Sequence, residues 1–225
     1  MMQSGGLIRY DCGMHITKFG HCCLLIEIDG KKVLTDPGTF TIEETKSLDG
    51  IDLVVISHEH ADHFHVDSVK DVLARNPNAK VVSNSAVGKL LDEAGIPHEV
   101  LEGAGAREIA GVALAACDAK HEEIFEAYGQ VQNTGYMIGG RLFYPGDAYA
   151  DPGTAIDVLA LPVAGPWCKI ADALHYCIRM KPRMAFPVHD GMLGDLTFMH
   201  RVPQMILKEK GIDFVPMDKG ASRDF

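Results

Sequence analysis

The sequence predicts an α/β protein built from two facing mixed β-sheets with helices on the outer faces. Three observations predict it. Asp29-Gly30 and Gly139-Gly140 each separate two apolar, strand-like runs, the signature of a tight β-hairpin turn. Behind each hairpin region, apolar strands alternate with segments of helical periodicity, which gives parallel pairing and a layered sheet. The order of hairpins followed by β/α alternation occurs twice, so one domain of 1–225 with two similar halves, about 1–110 and 111–225, is expected. No sequence repeat accompanies this symmetry of element order.

In the first half, "HITKFG" and "CCLLIEI" read as strands, and "IEIDGKKVLTDP" turns at Asp29-Gly30 into a third. The unbroken apolar run "IDLVVIS" is a buried strand. Val66, Val69, Val72 and Leu73 then fall on one helical face in "HVDSVKDVLARN". "AKVVSN" is again a strand, and "SAVGKLLDEAG" a helix with Ser85 as its cap and Gly95 as its stop. In the second half, "VALAACDA", "NTGYMIGGRLFYPGD" and "AIDVLALPV" read as strands. A helix from about Lys169 to Met180, the strand "RMAFPV", a helix near Val202 to Lys210 and the strand "IDFVPM" complete the chain.

Composition restricts what this fold can do. The chain of 225 residues is 47% hydrophobic and 23% charged, enough to bury a substantial core. Its formal net charge of −10, without a clustered Lys/Arg stripe, disfavours nucleic acid as a partner, because binding to a phosphate backbone is dominated by basic side chains. No run approaches the roughly 20 apolar residues of a membrane span, and "MMQSGGLIRYDCG" lacks the pattern of a secretory signal, so a soluble, cytoplasmic protein is expected. Cys12, Cys22, Cys23, Cys117, Cys168 and Cys177 form no CxxC pair and read as reduced core thiols.

The chemistry is concentrated in "VISHEHADHFH", Val55 to His65. His58 and His60 lie two apart where a strand ends, so in extended backbone their side chains point to the same face and can share one ion. Asp62 and His63 follow where the chain turns towards the next helix and can reach a second point a few ångströms away. Two adjacent metal sites are implied.

"HEHADH" resembles the defining motif of the metallo-β-lactamase superfamily, whose fold is a four-layer αβ/βα sandwich. The resemblance implies further ligands, for which His121 in "DAKHE", Asp147 in "FYPGDA" and His189 in "AFPVHDG" are the matching positions. It implies that His58, His60 and His121 hold one divalent ion, that Asp62, His63 and His189 hold a second, and that Asp147 bridges them. Zinc is the first expectation for both ions, with manganese or iron as alternatives. The implied reaction is hydrolysis by a bridging hydroxide, which Asp62 would orient as the catalytic carboxylate. Asp36 in "LTDPG" resembles the early Asp that sits behind the ligands and fixes an imidazole tautomer.

Departures narrow the branch. His121 is not in the "GHTPG" context of glyoxalase II-like thioesterases, and Asp147 stands where antibiotic-degrading relatives carry Cys. The 42 positions from Asp147 to His189 leave no room for the inserted domain of the nucleases. The chain is therefore similar to the small single-domain hydrolases of the L-ascorbate 6-phosphate lactonase and N-acylphosphatidylethanolamine phospholipase D kind. An ester-like bond, lactone or phosphodiester, in a small anionic metabolite is the expected target. Two divalent ions, less Asp62, Asp147 and one hydroxide, leave about +1 at the site, which welcomes an anion. His21, Trp167 and Lys169 are the candidate substrate contacts. An iron-dependent redox enzyme and a non-catalytic metal-binding regulator stay open as alternatives, as does a homo-oligomer. His15, His65, His98, His175 and His200 have no assigned role.

Overall fold

The computed structural model describes residues 13–225, so the N-terminal stretch read for a signal and Cys12 lie outside the described residues. The first sheet begins with β1 (His15–Gly20), β2 (Cys23–Ile28) and β3 (Lys31–Thr35), which pair antiparallel, β2 and β3 through the Asp29-Gly30 turn. Both turn residues take positive φ, 51° and 74°, as a two-residue hairpin loop of matching twist requires. A short helix, α1 (Ile42–Thr45), precedes β4 (Leu53–Val55). Then α2 (Val66–Arg75), β5 (Lys80–Ser83), α3 (Ser85–Glu93) and β6 (Glu99–Val100) supply the parallel part of the sheet.

The second sheet repeats the plan. Antiparallel β7 (Ala106–Ile109), β8 (Val112–Lys120), β9 (Gln132–Ile138) and β10 (Leu142–Tyr144) lead into β11 (Val158–Pro162), α4 (Ile170–Met180), β12 (Met184–Val188), α5 (Thr197–Glu209) and β13 (Asp213–Phe214). The parallel pairs run from β10 to β13. Among the described residues, both sheets have seven strands and both are mixed.

Three apolar clusters define the layers. Ile16, Leu24 and Ile26 of the first sheet pack with Tyr136, Val158 and Phe186 of the second in the central core. Val69, Val72, Val87 and Leu91 of α2 and α3 cover the outside of the first sheet. Leu174, Tyr176, Cys177 and Leu207 of α4 and α5 cover the outside of the second. This is the predicted four-layer sandwich.

Several details differ from the sequence reading. The cap of α3 is Asn84, which accepts from the Val87 N–H, while Ser85 bonds Glu102 instead. The last helix starts at Thr197, well before Val202, and carries Pro203 in its interior, where the missing N–H forgoes one i to i−4 bond. The short β7 between β6 and β8 was not predicted. Nor was β14 (Ser222–Asp224), which returns from the second half to pair antiparallel with β1.

One buried ion pair ties β1 to the loop after β12. Lys18 is 1% exposed, and its Nζ donates to Asp190 Oδ2 at 2.7 Å and to the carbonyls of Pro187 and Met217. Burial opposes the Asp190 charge, but the His200 hydrogen bond and Lys18 outweigh it and hold the carboxyl below its usual range. A carboxyl with a depressed folded pKa contributes stability above its unfolded value of about 3.9, and that contribution fades as pH falls through the folded value. Lys18→Met is therefore expected to cost about 3–5 kcal/mol near neutrality by strandling Asp190 without its cation, with the difference shrinking below about pH 4. Urea unfolding at pH 7 and pH 3 checks this. A loss within the about 0–1 kcal/mol of a surface pair at pH 7 would contradict it.

Candidate metal centre

Strand ends deliver every residue of the site. Asp36 follows β3, His58 to His63 lie between β4 and α2, and His121, Asp147 and His189 come after β8, β10 and β12. His21 occupies the turn between β1 and β2. Three of these residues, His21, Asp36 and His189, sit one position beyond a strand in the left-handed region, with φ of 50°, 36° and 61°. Such backbone costs a non-glycine residue about 1–3 kcal/mol and persists where the surroundings over-determine it. Here it turns each side chain inwards. Gly38 lets two of the loops meet, since a Cβ there would fall 1.9 Å from the Asp62 carbonyl oxygen.

The ligand-type atoms form two adjoining groups. Those of His58, His60 and His121 lie within 4.8 Å of one another, as do those of His21, Asp62, His63 and His189. Asp147 stands between the groups. Its Oδ2 is 2.8 Å from His189 Nε2, 3.2 Å from His121 Nε2 and 3.9 Å from His58 Nε2, and its Oδ1 is 3.2 Å from His63 Nε2. The structure thus brings together all seven residues named as ligands from the sequence.

Which ring nitrogen is free follows from the outer partners. Nδ1 of His121 faces the Glu122 carbonyl at 2.6 Å, and Nδ1 of His189 faces the Ala164 carbonyl at 2.7 Å. Nδ1 of His63 faces Asp36 Oδ2 at 2.6 Å. Nδ1 of His58 meets Ser57 Oγ at 3.0 Å, and that hydroxyl in turn donates to Asp36. An Nδ1 beside an acceptor carries the proton, so each Nε2 presents a lone pair to the cluster. Among the described residues, the buried Nε2 atoms of His58, His63 and His189 and Oδ1 of Asp147 have no hydrogen-bond partner. Acceptors of this kind, packed face to face out of water, repel unless a cation lies among them. The donor set of imidazoles and carboxylates fits a divalent metal.

For His58 and His60 the electrostatics agree, whereas at His63 burial is outweighed by Asp147 and Asp36, which push its pKa well above the usual value. Burial and then the His63 neighbour push the His58 pKa well below its usual value, and burial and His121 lower that of His60, so both imidazoles favour the neutral form that binds metal. Burial opposes charge on Asp147, but His189 and His63 outweigh it and keep the carboxylate ionised. Burial likewise opposes charge on Asp62, and the His21 hydrogen bond with the neighbouring imidazoles overcomes it. Asp36 is fully buried and accepts from the Ser57 N–H, Ser57 Oγ, His63 Nδ1 and the Tyr144 hydroxyl.

The three candidate substrate contacts separate. Trp167 is buried against His121 and His189, and its indole N–H is committed to Asp147 Oδ2 at 3.1 Å. His21 is 1% exposed, with Asp62 on one ring nitrogen and the Gly191 N–H on the other. Lys169 is exposed at the N-terminus of α4, and no polar contact of its side chain with the cluster is found among the described residues.

Other residues missed from the sequence are Ser57 and Tyr144, which fill the Asp36 carboxylate, and Asn133, whose Oδ1 accepts the Asp147 N–H. Ser57 adjoins the motif, but nothing in the spacing of Tyr144 or Asn133 marked them. Cys22, read as a core thiol, is buried with its sulfur close to the ligand atoms of His63 and Asp147, and burial followed by Asp147 pushes its pKa up. Four of the five unassigned histidines have hydrogen-bond partners, and of these four His200 is buried. His65 caps α2 through the Ser68 N–H, His15 pairs with Asp224 of β14, His98 meets the Ile96 carbonyl and His200 meets Asp190. His175 is exposed.

Comparison with known proteins places this geometry. A model of the beta-lactamase superfamily domain matches residues 15–189. Protein Rv0786c of Mycobacterium tuberculosis is 32% identical over 211 residues, covering 88% of this chain and 98% of that one. A UPF0173 metal-dependent hydrolase of Aeropyrum pernix is 28% identical over 207 residues, covering 78% of this chain and 82% of its own. Among solved structures, Igni18, a metallo hydrolase from Ignicoccus hospitalis, superposes with a TM-score of 0.76 at 22% identity, over 95% of this chain and 98% of its own. No helix among the described residues is long and apolar enough to cross a membrane.

Proposed function

The chain belongs to the beta-lactamase superfamily and is a metal-dependent hydrolase of that fold, and from that premise we propose a dinuclear site that cleaves an ester-like bond. His58, His60 and His121 would hold one divalent ion, Asp62, His63 and His189 a second, and Asp147 both. The observation that supports this reading is the gathering of partnerless, buried Nε2 atoms and a carboxylate oxygen from two adjoining groups, with each opposite Nδ1 tied back. When bound, such ions act as Lewis acids and lower the pKa of a coordinated water from 15.7 towards about 7.

The chain's own residues do the rest. Asp62, with 26% of its side chain exposed, is the more open carboxylate of the ligand set, whereas Asp147 is 2% exposed. Held charged, it orients an attacking water and accepts its proton. Asp36 keeps His63 protonated at Nδ1 directly and His58 through Ser57, so both rings offer Nε2 inwards. Trp167 fixes the rotamer of Asp147. The buried walls exclude bulk water and strengthen each of these contacts.

Zinc suits the donor set, and manganese or iron can occupy the same ligands. Two divalent charges, less Asp62, Asp147 and one hydroxide, leave about +1 among the ligands, so the site attracts a negative group. A lactone or phosphodiester in a small anionic metabolite meets that demand. Metal-loaded protein is expected to hydrolyse members of a lactone and phosphodiester panel, to lose turnover with a chelator and to regain it with zinc or manganese. Oxygen consumption by the iron-loaded protein, with every ester left intact at full metal occupancy, would overturn the hydrolytic reading.

A further inference from the structure

We propose that His21 positions Asp62: a neutral imidazole with its proton on Nε2, held at three points and not itself bound to metal. The inference rests on the ligand role proposed for Asp62. His21 lies in the second group of ligand-type atoms, so a fourth-ligand role is the rival reading. The hydrogen bonds separate the two. The Gly191 N–H donates to His21 Nδ1 at 3.2 Å, which makes that nitrogen an acceptor. A ring whose Nδ1 accepts must carry its proton on Nε2, and that N–H points at Asp62 Oδ2, 3.1 Å away. An Nε2 that donates has no lone pair to give a cation. The reverse tautomer would set two N–H groups against each other at Gly191 in a buried place.

The surroundings hold the ring in this pose. The His21 carbonyl accepts the His189 N–H at 3.1 Å, so backbone and side chain together join β1 to the loop carrying His189. Phe40 stacks on the ring at 4.4 Å and 21°, covering it from solvent. Gly191 is required for the approach, since a Cβ there would stand 2.9 Å from the His21 Cβ. The left-handed backbone of His21, directly after β1, aims the ring across the strand end at Asp62.

Asp62 needs such a partner. It sits in an irregular loop and is partly exposed, and its Oδ2 lies 3.6 Å from His189 Nε2 and 3.8 Å from His63 Nε2, beyond hydrogen-bond distance. Among the described residues, His21 supplies the one side-chain hydrogen bond to its carboxylate. That bond takes one lone pair of Oδ2 and leaves the others facing the cluster.

The tautomer is directly measurable. In a long-range proton–nitrogen spectrum of protein labelled with 15N-histidine, His21 is expected to show a protonated Nε2 and a bare Nδ1. This pattern should hold after chelator treatment and again after loading with zinc, whereas Nε2 of His63 and His189 should shift on loading. The His21 signals are identified by their loss in His21→Gln. In metal-binding measurements, His21→Ala should leave the ion held by His58, His60 and His121 in place and weaken the second by about 10–100-fold. His21→Gln, which keeps an N–H near the Nε2 position, should recover most of that affinity. A zinc-induced shift at His21 Nε2, or a proton on Nδ1, would overturn the proposal, as would undiminished affinity for the second ion in a folded His21→Ala protein. The wild-type spectrum decides even if His21→Ala fails to fold. If zinc binds in this pattern and no ester is cleaved, the proposed reaction fails while the role of His21 stands.

Discussion

Asp147→Ala is expected to lose metal and turnover together, and to lose more of both than any other single substitution in the site. Asp147 stands between both histidine groups, 2.8 Å from His189 Nε2, 3.2 Å from His121 Nε2 and 3.2 Å from His63 Nε2. Removing it takes an anionic group away from both histidine groups at once. It also leaves the Trp167 indole N–H without its acceptor in a buried place. The expected fall in turnover exceeds the about 10–100-fold that follows loss of a residue that only orients a ligand. Elemental analysis and rate measurement on the same preparation check this, with circular dichroism as the folding control. A folded Asp147→Ala protein that keeps its full metal content would contradict the bridging role.

Asp36→Asn and Asp62→Asn should part company in stability as well as in rate. Asp36 is buried and receives four donors, three of them on Oδ2 and the Ser57 N–H on Oδ1. An amide offers one oxygen and one NH2, so at least one donor is left facing another donor. An unpaired buried polar group costs about 1–3 kcal/mol, and Asp36→Asn should lose at least that in urea unfolding, along with about 10–100-fold in metal affinity or turnover. Asp62 holds one hydrogen bond, from His21, and borders solvent. Asp62→Asn should fold with wild-type stability and modest metal loss, while turnover collapses because the charge that orients the attacking water is gone. From sequence alone, Asp36→Asn is the milder change by rate. The four donors add a loss of stability that the spacing of "LTDPG" does not reveal. Equal unfolding midpoints for the two variants would contradict this division of roles.

Much of this was legible in the sequence for a physical reason. Hairpin turns need positive φ and so betray themselves through Asp29-Gly30 and Gly139-Gly140, and buried parallel strands appear as unbroken apolar runs such as "IDLVVIS". Several histidines and acids clustered at a strand end also stand out locally. What stayed hidden depends on contacts between distant segments. β14 is three residues long and lies next to β1 only after the whole second half has folded. Tyr144 reaches Asp36 across 108 positions, and Lys18 reaches Asp190 across 172. The sequence makes His21 and Trp167 candidate substrate contacts near the centre but does not reveal their partners. In the folded chain their polar atoms meet Asp62, Gly191 and Asp147.

The proposed chemistry depends on the number of ions the cluster holds. Chelator-stripped protein titrated with zinc, with bound metal counted after desalting, tests this directly. The expected result is saturation at about two ions per chain, falling to about one in His58→Ala and to about one in His189→Ala, since each variant spoils one half of a paired site. Wild-type protein that retains no zinc, or the same count in wild type and both variants, would contradict the proposal that these histidines and carboxylates form a dinuclear centre.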